Sequence, residues 1–483
     1  MMKYFTAFRT KCFSALLAAA LIFAAGACSR GSAPPPNLLI IVSDALRADV
    51  IGCYGGEART PNIDRLAAGG TRFEHCYATA PWTWPSAVSM FTGNYPTAYR
   101  ATDEVLFPHK RPAPPPVTVF YVPGEEQLFG ERLRSAGYDV RMAMQNPLPG
   151  RSNSLQGFEP LEPSVLTPER REAVQLVAGR DRRQSQPLLA MLDYLLNAPD
   201  HRPFCLLGWV LDPHGEYDPP ARFKRGIDPG EPPLSHPLSY YAKLNSRQLK
   251  NVSGELSVAE RAYIRALYLA EVAYVDQRVG RIIAALEHRA LLESTLIVFT
   301  SDHGEAFWEH GHSSHGNTYF EEMVRVPLIF SGPGIPAGGT IDTPASHLDL
   351  APTMAELIGI ELDADVQGAS YAGFFQGKAV APGPIGLAGA HPQLQADALV
   401  EEGYKLIRGA GGALSLYRLD DDPGERADLA VEMPELAERM ARRLDAMQAV
   451  NRLLSEGRPV PEAVDPYDRD VLAEQMKALG YVE

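Results

Sequence analysis

Three stretches of the chain are apolar without interruption, and acidic or histidine side chains follow each of them. They run from Asn37 to Ser43, from Phe204 to Leu211 and from Thr295 to Ser301. Runs of this length without polar alternation predict parallel strands that are covered on both faces. In open α/β sheets the ligand site lies beyond the carboxyl ends of the strands, so we expect the residues after these runs to meet.

The segments around these runs add helical patterns that alternate with strands to about Ile360. The alternation predicts an α/β fold over residues 37–360, with a large, mixed, mostly parallel sheet between helices. Two polar or proline-rich stretches are expected to be surface loops. The predicted elements are helices over Glu125–Gly137, Pro187–Leu196 and Leu256–Leu292, a strand over Tyr138–Met144, and loops over Pro108–Pro116 and Pro219–Val252.

The pattern changes after Ile360, where short strands and a charged helix follow one another. Tyr404–Arg408 and Leu414–Leu419 read as two antiparallel strands joined by a glycine-rich turn, and Pro434–Asn451 as an amphipathic helix. We therefore predict a small C-terminal α+β subdomain and tail over residues 361–483.

The first 36 residues predict export. Basic residues precede an apolar stretch from Phe13 to Ala25, and small residues then lead to Cys28, which is typical of a signal peptide over residues 1–27. Ala25-Gly26-Ala27-Cys28 also resembles a lipobox, so we expect a lipoprotein anchored through a lipidated Cys28, with 28–36 as a tether, facing the periplasm or the cell exterior. Plain cleavage near Ala27 is the alternative.

Composition narrows the function further. The chain has 483 residues and a formal net charge of −14, which argues against nucleic acid as a partner. Beyond the leader, Cys53, Cys76 and Cys205 permit at most one disulfide, match no zinc motif and are best interpreted as buried thiols. The sequence does not indicate an oligomeric state.

The residues after the three strands suggest a metal and anion site. Asp44 follows the first strand, His214 the second, and Asp302 and His303 the third. Two carboxylates and an imidazole suit a divalent cation with mixed oxygen and nitrogen ligands. The structural alternatives are a helix N-cap for Asp44 and a surface-loop position for His214.

Thr83 is the candidate nucleophile. It stands two residues before Pro85, which suits a first helical turn, and Gly93 suits the end of that helix. A threonine at a helix N-terminus lies beside free backbone N–H groups that favour an anion, and a metal would activate its hydroxyl. An ordinary N-cap role is the alternative.

Four of the chain's twelve histidines lie between positions 303 and 315. Clustering of this kind at a strand end favours function over chance. We assign His310 or His315 to leaving-group protonation or anion binding, and we interpret His312 as a surface residue.

Several motifs in order give the chain a resemblance to the sulfatase family of the alkaline-phosphatase superfamily. The resemblance runs from about Asn37 to Ala430. Its motifs are Ser43–Asp49 with Gly52–Gly55, Thr60–Ala67, Asp212–His214, Ser301–Glu305, Arg325–Leu328, Leu348–Thr353 and Leu416–Glu425.

The chain departs from the pattern of this family at the reacting group. Type I sulfatases carry Cys or Ser in a C/S-x-P-x-R motif that is oxidised to formylglycine, whereas this chain has Thr83 and, at the arginine position, Ala87. The sulfate-binding lysine has no counterpart in 142–146, and Ala45 replaces the second aspartate of the opening motif. These features resemble relatives with a threonine nucleophile, such as phosphodiesterases; phosphoethanolamine transferases also share them but carry a membrane domain.

The resemblance implies a role for each candidate residue. Asp44, Asp302 and His303 would bind one divalent metal ion, either Ca²⁺, Mg²⁺, Mn²⁺ or Zn²⁺, and Asp212 and His347 are candidates for a second. Thr83 would attack, His214 would hold a nonbridging oxygen, and Arg47 would be a weaker anion contact. The expected function is hydrolysis of a small anionic sulfate or phosphate ester. A threonine-dependent phosphodiesterase or phosphonate monoester hydrolase, and an inactive surface binding protein, are the alternatives.

Overall fold

A computed structural model describes the chain in several ranges. They are 34–104, 117–161, 186–227, 235–363, 365–378, 383–388 and 396–459, with Arg170, 172–174, Val177 and Val380. The predicted signal peptide, Cys28 and most of the tether lie outside these residues, as do the predicted loop at Pro108–Pro116 and the tail after residue 459. The boundary at residue 360 stays a prediction.

The strands are numbered here in chain order. They are β1 (Asn37–Ser43), β2 (Gly70–Tyr77), β3 (Ala101–Glu104), β4 (Val117–Phe120), β5 (Asp139–Met144), β6 (Glu159–Pro160), β7 (Phe204–Val210), β8 (Thr295–Ser301), β9 (Ala306–Phe307), β10 (Ser313–Ser314), β11 (Arg325–Ser331), β12 (Gly339–Ile341), β13 (Ala345–Ser346), β14 (Ile385–Leu387), β15 (Asp397–Glu401), β16 (Tyr404–Arg408) and β17 (Leu414–Arg418).

The α-helices follow the same order. They are α1 (Pro61–Ala68), α2 (Thr83–Thr92), α3 (Phe129–Ser135), α4 (Leu148–Arg151), α5 (Gln186–Asn197), α6 (Leu238–Tyr241), α7 (Ser246–Val252), α8 (Val258–His288), α9 (Glu321–Val324), α10 (Leu350–Ile358), α11 (Ala372–Phe375) and α12 (Pro434–Gly457). Short 3₁₀ turns cover Ala48–Val50, Gly52–Tyr54, Pro96–Ala98, Leu292–Ser294, His347–Asp349 and Ala410–Gly412.

The large sheet confirms the predicted fold class. Its order is β12-β2-β11-β8-β1-β7-β5-β6, and β13 also pairs with β2. β1 runs parallel to β7 and β8, whereas β11 runs antiparallel to β8 and β2, so the sheet is mixed and mostly parallel. The register places Ser43 opposite both Val210 and Ser301, so the three central strands end level with one another.

Both faces of the sheet are covered, which explains the unbroken apolar runs. In β1, Leu39 and Ile41 enter one hydrophobic core with α1, α5 and α8. Leu38, Ile40 and Val42 enter a second core on the opposite face with α2, α3 and α10. Alternate residues of one strand therefore bury themselves in different cores, and neither face selects for polar side chains.

A four-stranded antiparallel sheet, in the order β14-β15-β16-β17, follows the large sheet in the chain. Leu399, Leu406 and Leu416 pack against Ala437 and Met440 of α12. The predicted strand pair and helix near the C-terminus are thus present, and α12 extends past the predicted end at Asn451 to Gly457.

Two local expectations need correction. Pro219–Val252, predicted as an irregular loop, contains the short helices α6 and α7; Asn245 caps α7 by accepting a hydrogen bond from Gln248 N. Of the three cysteines, which are free thiols, Cys53 is only half-buried. Within the described ranges, no helix combines the length and the apolar character that crossing a bilayer requires.

Candidate active site

The ends of β1 and β8 place three ligand-type side chains together. Asp44 follows β1 and is held by a hydrogen bond from its own N–H to Val210 O at 2.9 Å. Asp302 and His303 follow β8, and Asp302 Oδ1 accepts hydrogen bonds from Ala45 N at 3.1 Å and His303 N at 3.0 Å. All three side chains are completely buried.

The orientation of these groups leaves negative atoms facing one another. His303 Nδ1 donates to Gly304 O at 2.8 Å, so its Nε2 carries a lone pair. This Nε2 lies 3.7 Å from Asp44 Oδ1 and 3.4 Å from Asp302 Oδ2. Neither of these two oxygens accepts a hydrogen bond from any described residue. Buried acceptors are normally satisfied, so a missing positive partner is indicated.

The charges of the site point to the same partner. Burial raises the pKa of Asp44 well above its usual value, Asp302 raises it further, and the hydrogen bonds from Asn146 and Trp209 oppose the shift. One potential ligand atom from each of Asp44, Asp302 and His303 lies within 4.8 Å of the others. Two carboxylate oxygens and one imidazole nitrogen at this spacing fit a divalent cation, which would relieve the repulsion.

Thr83 lies beside this cluster as the first residue of α2. The N-cap residue is Trp82 and Thr83 is the first residue of the helix, so the ordinary N-cap interpretation of Thr83 is not realised. Thr83 Oγ1 lies 3.4 Å from His303 Nε2 and receives a 3.4 Å hydrogen bond from Asn146 Nδ2. The helix ends where expected, at Gly93 with a φ of 69°. Asp44 also caps no helix, because the following 3₁₀ turn begins after Arg47.

Asn146 is a site residue that the sequence analysis did not assign. Its amide donates to Asp44 Oδ2 at 2.7 Å as well as to Thr83. Trp209 Nε1 donates to the same Asp44 oxygen at 3.2 Å. Asn146 stands two residues beyond β5, a parallel strand of the same sheet. The rule applied to the other three strand ends would therefore have selected it.

Two further histidines line the site. His214 Nδ1 donates to Gly215 O at 2.8 Å, and burial together with His303 lowers the pKa of His214 to about 4, so its imidazole is neutral near pH 7. The ring of His315 lies 4.8 Å from that of His214 and 4.5 Å from that of His303. His315 Nδ1 lies 3.1 Å from Glu305 Oε1, and burial raises the pKa of Glu305 to about 8.

His310 and Arg47 do not join this group. His310 pairs with Glu322 through Nδ1 at 2.8 Å, donates from Nε2 to Glu425 O at 3.2 Å and stacks on Phe320. The guanidinium of Arg47 forms ion pairs with Asp49 and Glu309. Both side chains line a separate pocket behind the loop after β8. Of the two histidines considered for leaving-group protonation, the structure therefore brings His315 next to His303 and His214.

The two residues considered as ligands of a second metal ion make contacts with other protein groups. Asp212 forms an ion pair with Arg278, and His347 Nε2 donates to Ser301 O at 2.9 Å. Over the ranges that the structure covers, Asp44, Asp302 and His303 are the one group of three with metal-ligand spacing. The geometry therefore supports a single metal ion.

A lysine also reaches the site from outside the sheet. Lys250 belongs to α7, and its Nζ donates to His315 O at 2.8 Å. Desolvation lowers the pKa of Lys250, and the negative charge of Glu305 opposes that shift. The sequence gives no signal for this contact, because Lys250 lies 65 positions from His315 in a polar region.

Known proteins share the sequence features and the fold. The family profile described as Sulfatase matches residues 36–360. N-acetylglucosamine-6-O-sulfatase of Bacteroides thetaiotaomicron is 27% identical over 415 residues, which cover 69% of this chain and 70% of that protein. Human arylsulfatase K is 26% identical over 481 residues, which cover 90% and 86% of the two chains.

Two solved structures extend the comparison. A phosphonate monoester hydrolase of Agrobacterium radiobacter superposes with a TM-score of 0.66 at 19% identity, covering 86% of this chain and 96% of that chain. A 2-O GAG sulfatase superposes with a TM-score of 0.68 at 22% identity, covering 90% and 96%. At these identities the two structures establish a shared fold. The match of the family profile goes further, because it spans β1 to α10 and every residue of the Asp44, Thr83, Asp302 and His303 cluster: the chain belongs to the sulfatase family of the alkaline-phosphatase superfamily and is a hydrolase of ester bonds.

Proposed function

We propose that the protein is an exported, metal-dependent hydrolase of sulfate or phosphate esters that uses Thr83 as its nucleophile. One observation carries the proposal: Thr83 Oγ1 lies 3.4 Å from His303 Nε2, the same nitrogen that faces Asp44 Oδ1 and Asp302 Oδ2, two oxygens without a hydrogen-bond donor among the described residues. A structural threonine has no need for this position. A nucleophile that must lose a proton does, because a cation bound there stabilises its alkoxide.

The residues of the site can be given complementary roles. Asp44, Asp302 and His303 would hold the metal ion, which when bound lowers the pKa of a nearby hydroxyl and stabilises charge on the transferring group. Asn146 orients Thr83 and Asp44 through one amide. The helix N-terminus at Thr83 directs backbone N–H groups toward an incoming anion.

In the first half-reaction, Thr83 Oγ1 attacks the phosphorus or sulfur atom and the bond to the leaving oxygen breaks. A covalent threonine ester forms, and the leaving alcohol takes a proton from His315, which pairs with Glu305 at 3.1 Å. His214, neutral because of its lowered pKa, contacts a nonbridging oxygen. In the second half-reaction, water gives a proton to the now neutral His315, attacks the same phosphorus or sulfur atom, and releases Thr83 as the alkoxide that begins the next cycle.

The covalent intermediate must be hydrolysed by a second attack at the same atom, and this requirement makes a phosphorus ester the alternative substrate. A formylglycine hydrate has a second hydroxyl on the same carbon, and its deprotonation expels sulfate by carbon–oxygen cleavage. Thr83 has one hydroxyl, so its ester must be opened at phosphorus or sulfur. A threonine-dependent phosphodiesterase or phosphonate monoester hydrolase is therefore the second candidate function.

Export and lipid anchoring through Cys28 belong to the same proposal. They are supported by the basic, apolar and small-residue order of positions 1–28. Mass spectrometry of the N-terminus of detergent-extracted protein tests them: a diacylated Cys28 is expected, and an unmodified N-terminus would refute the anchor.

The decisive experiment measures turnover by the purified full chain, stripped of metal and resupplied with Ca²⁺, Mg²⁺, Mn²⁺ or Zn²⁺. An aryl sulfate, an aryl phosphate, a bis-aryl phosphate and an aryl phosphonate monoester are compared. Thr83→Ala should reduce kcat by about 10³-fold or more, because nucleophile and intermediate are both lost. Thr83→Ser, which keeps the hydroxyl, is the matched control and should retain measurable turnover.

The outcomes separate the candidates. A preference for sulfate that Thr83→Ala abolishes would mean that threonine replaces formylglycine, whereas a preference for the diester or phosphonate would establish the second function. Turnover that survives in Thr83→Ala would exclude Thr83 as nucleophile. The absence of metal-dependent turnover with all four substrates would favour the surface binding protein.

A further inference from the structure

The described group of metal ligands carries two carboxylates and no cationic side chain, although the proposed substrate is an anion. Asp44 and Asp302 are completely buried there. Of the two cationic positions expected from the resemblance, the arginine position is held by the buried Ala87, and the lysine has no counterpart in residues 142–146. One divalent cation balances two carboxylates and leaves little attraction for a second anion, so binding of an anionic substrate requires another positive group.

Three cationic side chains bond to groups at the site, and two of them are already neutralised. Arg47 is paired with Asp49 and Glu309, with 6% of its side chain exposed. Arg278 is paired with Asp212, with 3% of its side chain exposed. The third is Lys250, whose hydrogen bond within the described part of the chain goes to a carbonyl, His315 O, and not to a carboxylate.

Lys250 is accessible to solvent and also contacts His315 of the site. The residue as a whole is exposed to solvent, yet its Nζ points inward to His315 O at 2.8 Å. α7 packs against β10, the strand that leads directly into His315. An ammonium group has three N–H donors, so one bond to a carbonyl leaves others for a ligand in the same cleft.

We propose that Lys250 is a substrate-binding residue that contacts the anionic oxygens of the ester beside His315. This assignment rests on the function proposed above and adds to it the residue that replaces the missing cations. Lys250 enters from a helix outside the sheet, so its positive charge lies beside His315, the residue proposed to protonate the leaving group. A compact, strongly hydrated ammonium suits the terminal oxygens of a sulfate or phosphate group.

A purely positioning role is the competing explanation, because the bond to His315 O could simply hold that histidine in place. The two roles differ in what they require. Anion binding requires a positive charge, whereas positioning requires only an N–H donor. Substitutions that separate charge from donor capacity therefore distinguish them.

The test measures binding of inorganic phosphate and inorganic sulfate to the metal-loaded full chain by isothermal titration calorimetry. Lys250→Met removes charge and donor, Lys250→Gln keeps a neutral donor, and Lys250→Arg keeps the charge. Lys243→Met, at an exposed lysine of the same region, is the control. Lys250→Met and Lys250→Gln should each weaken the Kd about 10- to 100-fold, while Lys250→Arg and Lys243→Met stay within about threefold of the wild type.

Turnover of the wild type on aryl esters is recorded in parallel, so the two proposals can fail separately. Wild-type turnover combined with unchanged anion binding in Lys250→Met would overturn the role of Lys250 alone. Wild-type binding restored by Lys250→Gln would overturn it in favour of positioning. Anion binding that depends on Lys250 in a protein without turnover would support Lys250 and refute the hydrolase function.

Discussion

Two regions of this molecule bury charged side chains, and they do so in opposite ways. Near the C-terminal sheet, Lys405 is completely buried; its Nζ donates to Tyr319 O at 3.0 Å and Glu321 Oε1 at 2.7 Å and pairs with Glu425 Oε1 at 2.8 Å. At the ends of β1 and β8, by contrast, Asp44 and Asp302 are buried with the lone pair of an imidazole and no cation among the described contacts.

The difference teaches how to tell a structural cluster from a functional one. Around Lys405 each carboxylate contacts a cation, and the cluster joins β16 to α9 and to the segment after β17. Around Asp44 like charges are held together, which costs stability unless something else binds. A fold retains such an arrangement only if a bound ligand offsets the loss of stability. Buried carboxylate oxygens without a hydrogen-bond donor are therefore a better indicator of function than a cluster of paired opposite charges.

Replacing Asp302 with asparagine should give the largest effect. The amide oxygen can still accept hydrogen bonds from Ala45 N and His303 N, but it removes one negative ligand. We expect metal-dependent kcat to fall about 10³-fold or more, since a bound metal contributes several kcal/mol to the transition state. Without metal the variant should be at least as stable as the wild type, because the repulsion with Asp44 is removed.

The matched control is Asp349→Asn. Asp349 is a half-buried aspartate whose oxygens accept hydrogen bonds from Ser346 N at 2.7 Å and Ala369 N at 2.7 Å. This variant should keep its turnover. Steady-state kinetics and urea unfolding of the metal-free proteins measure both effects. An Asp302→Asn protein that is active, or clearly less stable than the metal-free wild type, would break the distinction between the two regions.

Lys405→Met should produce the largest loss of stability. It leaves Glu321 and Glu425 without their shared cation, and removing one partner of a buried ion pair typically costs about 3–5 kcal/mol. Urea unfolding gives the change in the free energy of unfolding. Arg439→Met, which breaks the exposed pair with Glu402 on the same subdomain, should change it by less than about 1 kcal/mol. Equal losses in the two variants would show that the buried cluster is not special.

The fold was largely predictable because it depends on periodicity. β1, β7 and β8 are unbroken apolar runs, and β1 sends alternate residues into two different cores, so the sequence carried the information directly. The helices α6 and α7 were not predicted because each is too short to show a helical period of apolar residues. What fixes α7 is a local capping contact between Asn245 and Gln248, which hydrophobic periodicity does not register.

The metal-ligand residues of the candidate site were predictable because they follow strands. Asp44, Asp302 and His303 come directly after strand ends, and the level register of β1 and β8 brings them together. His310 was assigned from the clustering of histidines but lies apart, because Glu322 and the Glu425 carbonyl hold its ring. The contact of Lys250 with His315 O depends on how α7 packs, which one sequence cannot express.

The smallest expected effect concerns the pH dependence of stability. Burial raises the pKa of Glu425 from 4.5 to about 7; Lys405 opposes the shift, and the negative charge of Glu321 adds to it. Between these values the folded protein keeps a proton that the unfolded chain releases, so this contribution to stability is present below about pH 4.5 and is lost as the pH rises through 7. Glu425→Gln should therefore flatten the decline in unfolding free energy between pH 5 and pH 8, by an amount on the order of 1 kcal/mol.

Urea titrations at both pH values measure this decline, and Glu402→Gln, at an exposed residue beside β15, should leave the wild-type decline unchanged. An identical decline in wild type and Glu425→Gln would mean that Glu425 is already ionised at pH 5 in the folded protein, with Lys405 offsetting its charge. The Lys405 cluster would then hold ionised carboxylates beside a cation, whereas the Asp44 cluster has no cation among its described contacts.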